Sequence, residues 1–563
     1  MFALALVACA GERPFPLRAP MTRDDDLLSR SVACRVEPTK KDAHHRVCAP
    51  RAYVSPLIWD GADNLIFRPL SRAFAIDPPG DAVDVNSLDE VPDSSWFTNR
   101  IGTHDLTLDE FLRGACTEAL MLDPDTMPDG SWVIDQGKNN GSSPGFRVNI
   151  KGKGKYLLKS DVASIAERSS GASVIGAVAY NAVGFNTSCE QVVYFRPSVL
   201  KLTPHLESAN NSGVKKPFDQ AAVDKILAEA AHRGGLVRMQ ASAWLPGHLL
   251  GPFRYTSTRD DDPADVIAHE DRRELRGGRL LAAWIDHFDA REQNSMDSWI
   301  ADAKDAPDSS PGYVRHYYLD TSDCLGGEWD WDPVSKRLGQ SYLVDYGDIS
   351  LDFITLGIPE RPWDHIHRAK GREIFGYFNV EQFDPETWKN EYPNPAFSRM
   401  TERDGAWAAR ILAHFTPEMV VGMAKLARFT DPGNTDYLAK VLQGRLDRIL
   451  ARYLTRLSSI SDVRVEGDRL CATDWAEKRG VREASAFRYS AHESGGAALA
   501  VERLNGGQIC VPLTHAAAPS GSMTERYIGV RIEDGVAPHP LLAYLYDLGS
   551  ARGFRLVGLE RPD

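Results

Sequence analysis

Phosphoryl transfer asks little covalent help of a protein. It needs a clamp on the phosphates, one or two metal ions held by Asp and Asn, and a carboxylate placed to receive the nucleophile's proton. Residues 284–294, WIDHFDAREQN, set His287, Asp289 and Asn294 in the spacing H-x-D-x-x-x-x-N. Asp289 is the candidate base and Asn294 a candidate Mg²⁺ ligand, with Asp320 as the second metal ligand. Lys159, closing the run Tyr156-Leu157-Leu158-Lys159, is the candidate cation over the α/β-phosphates of ATP. The glycine-rich stretch 137–145 offers Gly137, Lys138, Gly141, Ser142, Ser143 and Gly145 as a loop whose backbone amides approach phosphate oxygens. A plain β-hairpin turn explains those glycines equally well.

The elements needed to position these residues can be read around them. Residues 131–159 read as three strands separated by a glycine turn and a basic turn, because apolar residues alternate on either side of glycine clusters. A helix follows in SGASVIGAVAYNAVGF, with Val174, Val178 and Ala182 in one i, i+4 row and Ile175, Ala179 and Val183 in the next, giving one buried amphipathic face. Residues 236–245 read as a strand and 270–288 as a helix running into the His287 loop; MDSWIAD and GYVRHYYLD read as two strands ending at Asp320. Leu343-Val344-Asp345-Tyr346-Gly347 is the alternative metal-ligand segment, but it lies 51 residues after Asn294 rather than 26. Hairpin geometry therefore favours Asp320.

Beyond the strands, residues 360–458 carry helical periodicity, with Trp407, Ile411 and Phe415 on one face and Leu438, Leu442, Ile449 and Tyr453 on another. After about residue 459, short alternating stretches between Gly, Pro and Ser turns predict a small β-sandwich-like domain. The expected organisation is a signal remnant over 1–9, an extended tether over 10–90, a β-rich lobe over 91–245, a helical lobe over 246–458 and the β domain over 459–563.

At 563 residues the chain exceeds one ordinary core. Its net charge of −13 and lack of a basic stripe give no support to a nucleic-acid surface, and no apolar run reaches the roughly 20 residues of a membrane span. Leu6-Val7-Ala8-Cys9 fits a lipobox, so Cys9 is the expected lipidation site of a bacterial envelope protein whose charged leader lies upstream, and the lipid the only expected membrane attachment. Seven further cysteines would then sit in an oxidising compartment, with Cys34/Cys48 and Cys471/Cys510 the plausible bridges and one thiol left over. His44, His45 and Cys48 lack a fourth ligand and read as a loop rather than a metal cluster. The densest charge cluster, His269 to Glu274, reads as a charged helix start. A hydrolase built on Asp286, Asp289 and Glu292 ranks last, because no nucleophile elbow or H-E-x-x-H motif accompanies it.

The chain resembles atypical protein-kinase-like families of the HipA and spore-coat type, and more closely a set of bacterial envelope proteins that share VPDSSWFTNR, GSSPGF, KYLLKSD, HEDRRELRGGRLLAAWIDHFDAREQN, IPERPWD and NPAFSRM. The likeness spans about residues 85–458. It implies an α+β, bilobal kinase-like fold with the small β domain appended, ATP in the cleft, Lys159 on the phosphates, Asp289 as base, and Asn294 and Asp320 on Mg²⁺. Two departures stand out: Ser173 occupies the place of the helix Glu that would pair with the lysine, Glu167 being the nearest acidic residue, and the D-F-G motif becomes Asp320-Thr321-Ser322. The expected function is an ATP-dependent phosphotransferase or nucleotidyl transferase with a protein or small-molecule acceptor. The alternative is an inactive pseudokinase acting as a tethered binding module.

Overall fold

The computed structural model describes residues 28–39, 42–74, 80–138, 143–161, 165–209, 215–303, 308–327, 331–516 and 526–563. Cys9, Gly141 and Ser142 lie outside them. The chain is a mixed α+β protein that divides into two compact units, one of residues 24–82 and 92–449, the other including 83–91 and 450–563.

In the first unit, strands β1 (Trp132–Gly137), β2 (Gly145–Ile150) and β3 (Gly154–Lys159) form the antiparallel meander expected from the alternation. Helix α1 (Arg168–Val183) follows, then β4 (Glu190–Phe195), β5 (Leu200–Leu202) and β6 (Leu236–Ala243). Together with His232–Arg233 these strands make a seven-stranded sheet in the order His232–Arg233, β6, β3, β2, β1, β5, with β4 on the other edge of β6. One face buries Trp132, Phe146, Val148, Tyr156, Leu158 and Met239 in a single core. Helix α1 differs from the expected amphipathic pattern: every residue but Asn181 is buried, because small residues (Gly171, Ala172, Gly176, Ala179) let neighbours close on all sides.

A second, four-stranded sheet orders β7 (His248–Gly251), β8 (Ser295–Ala301), β9 (Gly312–Tyr318) and the two-residue strand Asn186–Thr187. Helix α2 (Arg273–Ile285) precedes β8 and packs against α3 (Glu402–Leu412); α4 (Pro417–Leu426) and α5 (Pro432–Tyr453) follow. The region expected to be helical therefore contains its own sheet. The tether is not simply extended: Leu57–Ala62 and Arg68–Phe74 are helical, and Tyr53 N donates to Leu250 O at 2.6 Å.

In the second unit, a four-stranded and a five-stranded sheet share one core of Ile460, Leu470, Ile509 and Val511 with Val530, Ile532, Leu541 and Leu545, which is sandwich-like. Residues 83–91 join this unit rather than the tether: Leu559 N donates to Ser87 O at 2.9 Å and Arg561 pairs with Asp89 at 2.7 Å.

Both expected disulfides are present, Cys34–Cys48 and Cys471–Cys510, and Cys116–Cys189 is a third. Cys324 is the leftover thiol, buried. Among the described residues no helix is long and apolar enough to cross a membrane.

Candidate functional site

The site is assembled by β3, the turn after β9, helix α1 and the loop after α2. Tyr156 and Leu158 of β3 face the sheet core, so alternation turns Lys159 to the opposite face. Gly145 lies opposite Lys159 in register, and a Cβ there would stand 2.2 Å from Leu158 O. Likewise a Cβ on Gly137 would stand 2.6 Å from the Phe218 ring. These two glycines are thus required by chain packing, which is the hairpin explanation of the motif.

Lys159 Nζ donates to Asp320 Oδ1 at 2.8 Å across 161 residues of sequence. Lys159 is buried, whereas the Asp320 side chain is 43% exposed, so the pair is covered on one side and open on the other. Burial works against the ammonium, but Asp320 and Glu190 outweigh it and raise its proton affinity above the ordinary lysine value. Desolvation likewise opposes the Asp320 charge, yet Lys159, Ser322 and Lys138 hold that carboxyl well below the usual range. Asp320 has φ 46°, and its turn is clamped to α1 by Thr321 Oγ1 donating to Ser173 O at 3.1 Å. A Cβ on Gly176 would fall 2.3 Å from Thr321 Oγ1, so glycine is what allows this approach.

Ser173 donates to Gln240 Oε1 at 2.9 Å; Gln240 Nε2 donates to Glu190 Oε2 at 2.7 Å. A strand carboxylate, Glu190, thus acts on Lys159 in addition to Asp320, with Asp323 a smaller third. Burial raises the Glu190 proton affinity against the pull of Lys159, Ser188, Ser242 and Gln240. Glu167 is the residue before α1 and bonds the Thr430 amide at 2.8 Å, away from the lysine. Lys138, expected only as a backbone donor, brings its ammonium to Ser143 O at 2.8 Å, and burial, then repulsion from Lys159, lower it to about 8.

The loop after α2 turns at Asp286, φ 57°, and His287 N closes it onto Ala282 O at 2.8 Å. His287 Nδ1 lies 2.8 Å from the Tyr180 hydroxyl and its Nε2 3.8 Å from Asp323 Oδ1. Burial pushes the imidazole down to about 3, so it braces the loop as a neutral ring. Asn294 Nδ2 donates to Asp289 O at 2.8 Å, which fixes the amide and leaves its Oδ1 as a ligand oxygen. Asp289 N donates to Asp323 Oδ2 at 3.0 Å, and Arg291 Nε stands 2.8 Å from Asp289 Oδ1. Burial, then the Asp323 charge, raises the Asp289 proton affinity well above that of an ordinary carboxylate, with Arg291 opposing. Burial, reinforced by Asp320, lifts Asp323 to about 7.

The structure thus brings Lys138, Lys159 and Asp320 together, and links Asn294 to Asp289 and Asp289 to Asp323. Asp345 is employed elsewhere: it caps the helix Tyr346–Thr355 and pairs with Lys389. Asp286 accepts from Trp388 Nε1 at 2.9 Å and Glu292 from Ser55 at 2.9 Å, so the three carboxylates of the hydrolase reading have separate partners. His45 faces Asp308 at 3.2 Å while Cys48 is bridged, which disposes of the His44, His45, Cys48 cluster. Asp323, Glu190, Tyr180 and Cys324 were not singled out from sequence. The D-x-x-D spacing of 320–323 was the available signal for Asp323, and the polar Glu190, Gln240 and Ser242 in otherwise apolar strands for Glu190. A cavity of about 720 Å³ bordered by Arg100, Trp244 and Arg315 lies in the same unit and includes none of these residues.

Asp320 and Asn294 offer hard oxygen donors, and Lys138 and Lys159 two ammonium groups, a set that fits Mg²⁺ bound to a polyphosphate. No family model, curated protein or solved structure matches the chain.

Proposed function

We propose that this protein is a kinase-type phosphotransferase of the bacterial envelope, or a nucleotidyl transferase on the same scaffold, that takes Mg²⁺-ATP and an acceptor bearing a hydroxyl or similar nucleophile. The observation that carries the reading is the Lys159–Asp320 pair at 2.8 Å, open to solvent on the aspartate side, beside a loop whose Asn294 is fixed on the Asp289 backbone. In this reading Lys159 and Lys138 hold the phosphates. Asn294 and Asp320 hold Mg²⁺, which when bound would neutralise charge developing on the phosphoryl oxygens. Asp289 receives the acceptor's proton on its carboxylate; burial and Asp323 raise its proton affinity, and Arg291 opposes them by favouring the ionised form that a base needs. Glu190 supplies the anchoring that a helix Glu would otherwise give Lys159. Lipidation at Cys9 and a place outside the cytoplasm belong to the same proposal; the three disulfides are compatible with it.

One observation favours a second reading, a pseudokinase that binds without turnover: Arg291 already occupies Asp289 Oδ1. Thermal unfolding of the protein with and without Mg-ATP, in wild type, Lys159→Met and Asp320→Asn, tests the nucleotide site. Saturation at ~100 times Kd stabilises by roughly 2.7 kcal/mol. A magnesium-dependent shift lost in both variants supports a nucleotide site; phosphate transfer abolished by Asp289→Asn separates enzyme from binding module. Absence of any shift with millimolar nucleotide rejects both.

A further inference from the structure

His287, Asp323 and Cys324 form a cluster that the phosphotransfer reading does not use as ligands. One imidazole nitrogen, a carboxylate oxygen and the thiol sulfur all lie within 4.8 Å of one another. His287 and Cys324 are fully buried and the Asp323 side chain is 17% exposed, so the cluster has one opening. His287 Nε2 is a buried polar atom without a hydrogen-bond partner. Its 3.8 Å separation from Asp323 Oδ1 is too long for a hydrogen bond. It is the right span for two ligands of one ion, since metal–N, metal–O and metal–S distances of roughly 2.0–2.3 Å in a tetrahedral site set ligand atoms roughly 3.3–3.8 Å apart.

The neighbours hold the ligands as a metal site requires. Tyr180 Oη stands 2.8 Å from His287 Nδ1; an N–H there, donating to the hydroxyl, turns the Nε2 lone pair toward Asp323 and Cys324. Asp323 uses Oδ2 to accept the Asp289 amide, leaving Oδ1 on the His287 side. The buried Arg168 guanidinium donates to both Asp323 O and Cys324 O, fixing the backbone of the ligand pair, and Leu325 N donates to Ile285 O, tying it to α2. The six other described cysteines are all bridged, so Cys324 is the thiol a metal would select. Another grouping, Glu466 with Cys471 and Cys510, offers no thiolate because those two sulfurs are bonded to each other.

We propose that His287 Nε2, the Asp323 carboxylate and Cys324 Sγ bind one borderline-soft divalent transition-metal ion of the Zn²⁺ class, with a fourth position open to the cleft. Sulfur and imidazole ligands select such an ion over Mg²⁺ or Ca²⁺. The thiol proton leaves as the Cys324–metal bond forms. This site goes beyond the nucleotide reading and stands or falls without it.

The test is a Co²⁺ titration of the chelator-treated, disulfide-intact full chain, followed by Zn²⁺ competition. We expect one Co²⁺ per chain with a thiolate-to-cobalt charge-transfer band in the near ultraviolet, displaced by Zn²⁺ and lost in Cys324→Ser and His287→Gln. Asp320→Asn, which removes a ligand of the nucleotide-bound metal, should keep the band. Wild-type protein without the band in excess Co²⁺ overturns the site, and needs no variant to fold. A band that survives Cys324→Ser, or one that disappears in Asp320→Asn, overturns this ligand set.

Discussion

Two regions of the first unit are dense in charge, and they have opposite characters. At the start of α2, Arg272, Arg276, Glu274 and Asp404 are all but inaccessible. His269 lies 2.7 Å from Asp265, Arg273 3.4 Å and Arg276 3.6 Å from Asp404, and Arg272 5.0 Å over the Trp96 ring, which itself stacks on His316. Every charge there is met by an opposite charge or a ring, and solvent has no access. Around Lys159, by contrast, Asp320 is half open, Asp289 and Asp323 crowd one another with Arg291 2.8 Å from Asp289, and His287 Nε2 is a buried atom without a hydrogen-bond partner. Charge density alone is therefore a poor marker of function. What separates the two regions is access: the first is sealed from solvent, whereas in the second a carboxylate held well below its usual range meets it.

The largest expected effect tests the closed region. Asp404→Ala leaves two buried arginines without their shared carboxylate and should destabilise by about 3–5 kcal/mol. Asp320→Asn should cost no more than about 1 kcal/mol, since its group is half exposed and Glu190 still faces Lys159. Thermal unfolding of both variants checks the contrast. Equal losses would make the cleft pair structural and erase the distinction.

An effect of similar size concerns acid. His287 is held neutral in the fold down to about 3, while the unfolded chain protonates it near the ordinary imidazole value of 6.5. The unfolded state therefore binds more protons between those values. The stability contribution is whole above about 6.5 and drains away as pH falls toward about 3, by roughly 5 kcal/mol in full. Urea unfolding of wild type and His287→Gln across that window should show a steeper acid loss in wild type; parallel curves would refute it.

The smallest effect sharpens the open region. Lys138, lowered to about 8, is charged below that pH and neutral above it. Mg-ATP affinity should fall severalfold as pH rises from 7 to 9, and Lys138→Gln should flatten the profile. Calorimetric binding at the two pH values decides this, and an unchanged slope in the variant removes Lys138 from the phosphate site.

Much of the scaffold was legible in the sequence, for local reasons. Alternation marked β1 to β3 and put Lys159 at the end of β3. Cys471 and Cys510 sit directly opposite in paired strands, a register that short spacing and alternation made accessible. Helix α1 was misjudged as amphipathic because its apolar rows were counted without knowing that Thr321 and Ala427 would press against its glycines. Residues 83–90 fall within the expected tether because nothing local says that this acidic segment adds to the C-terminal β unit.

By itself, then, the sequence determined the strand and helix periods, two cysteine pairs near enough to bridge and the H-x-D-x-x-x-x-N loop, since each depends on residues near one another in the chain. Only the tertiary structure decided that Lys159 meets Asp320, that Glu190 rather than a helix residue backs the lysine, and that His287, Asp323 and Cys324 share one buried corner. Those outcomes depend on through-space distances of a few ångströms between segments as many as 161 residues apart, set by which glycines let the backbones approach.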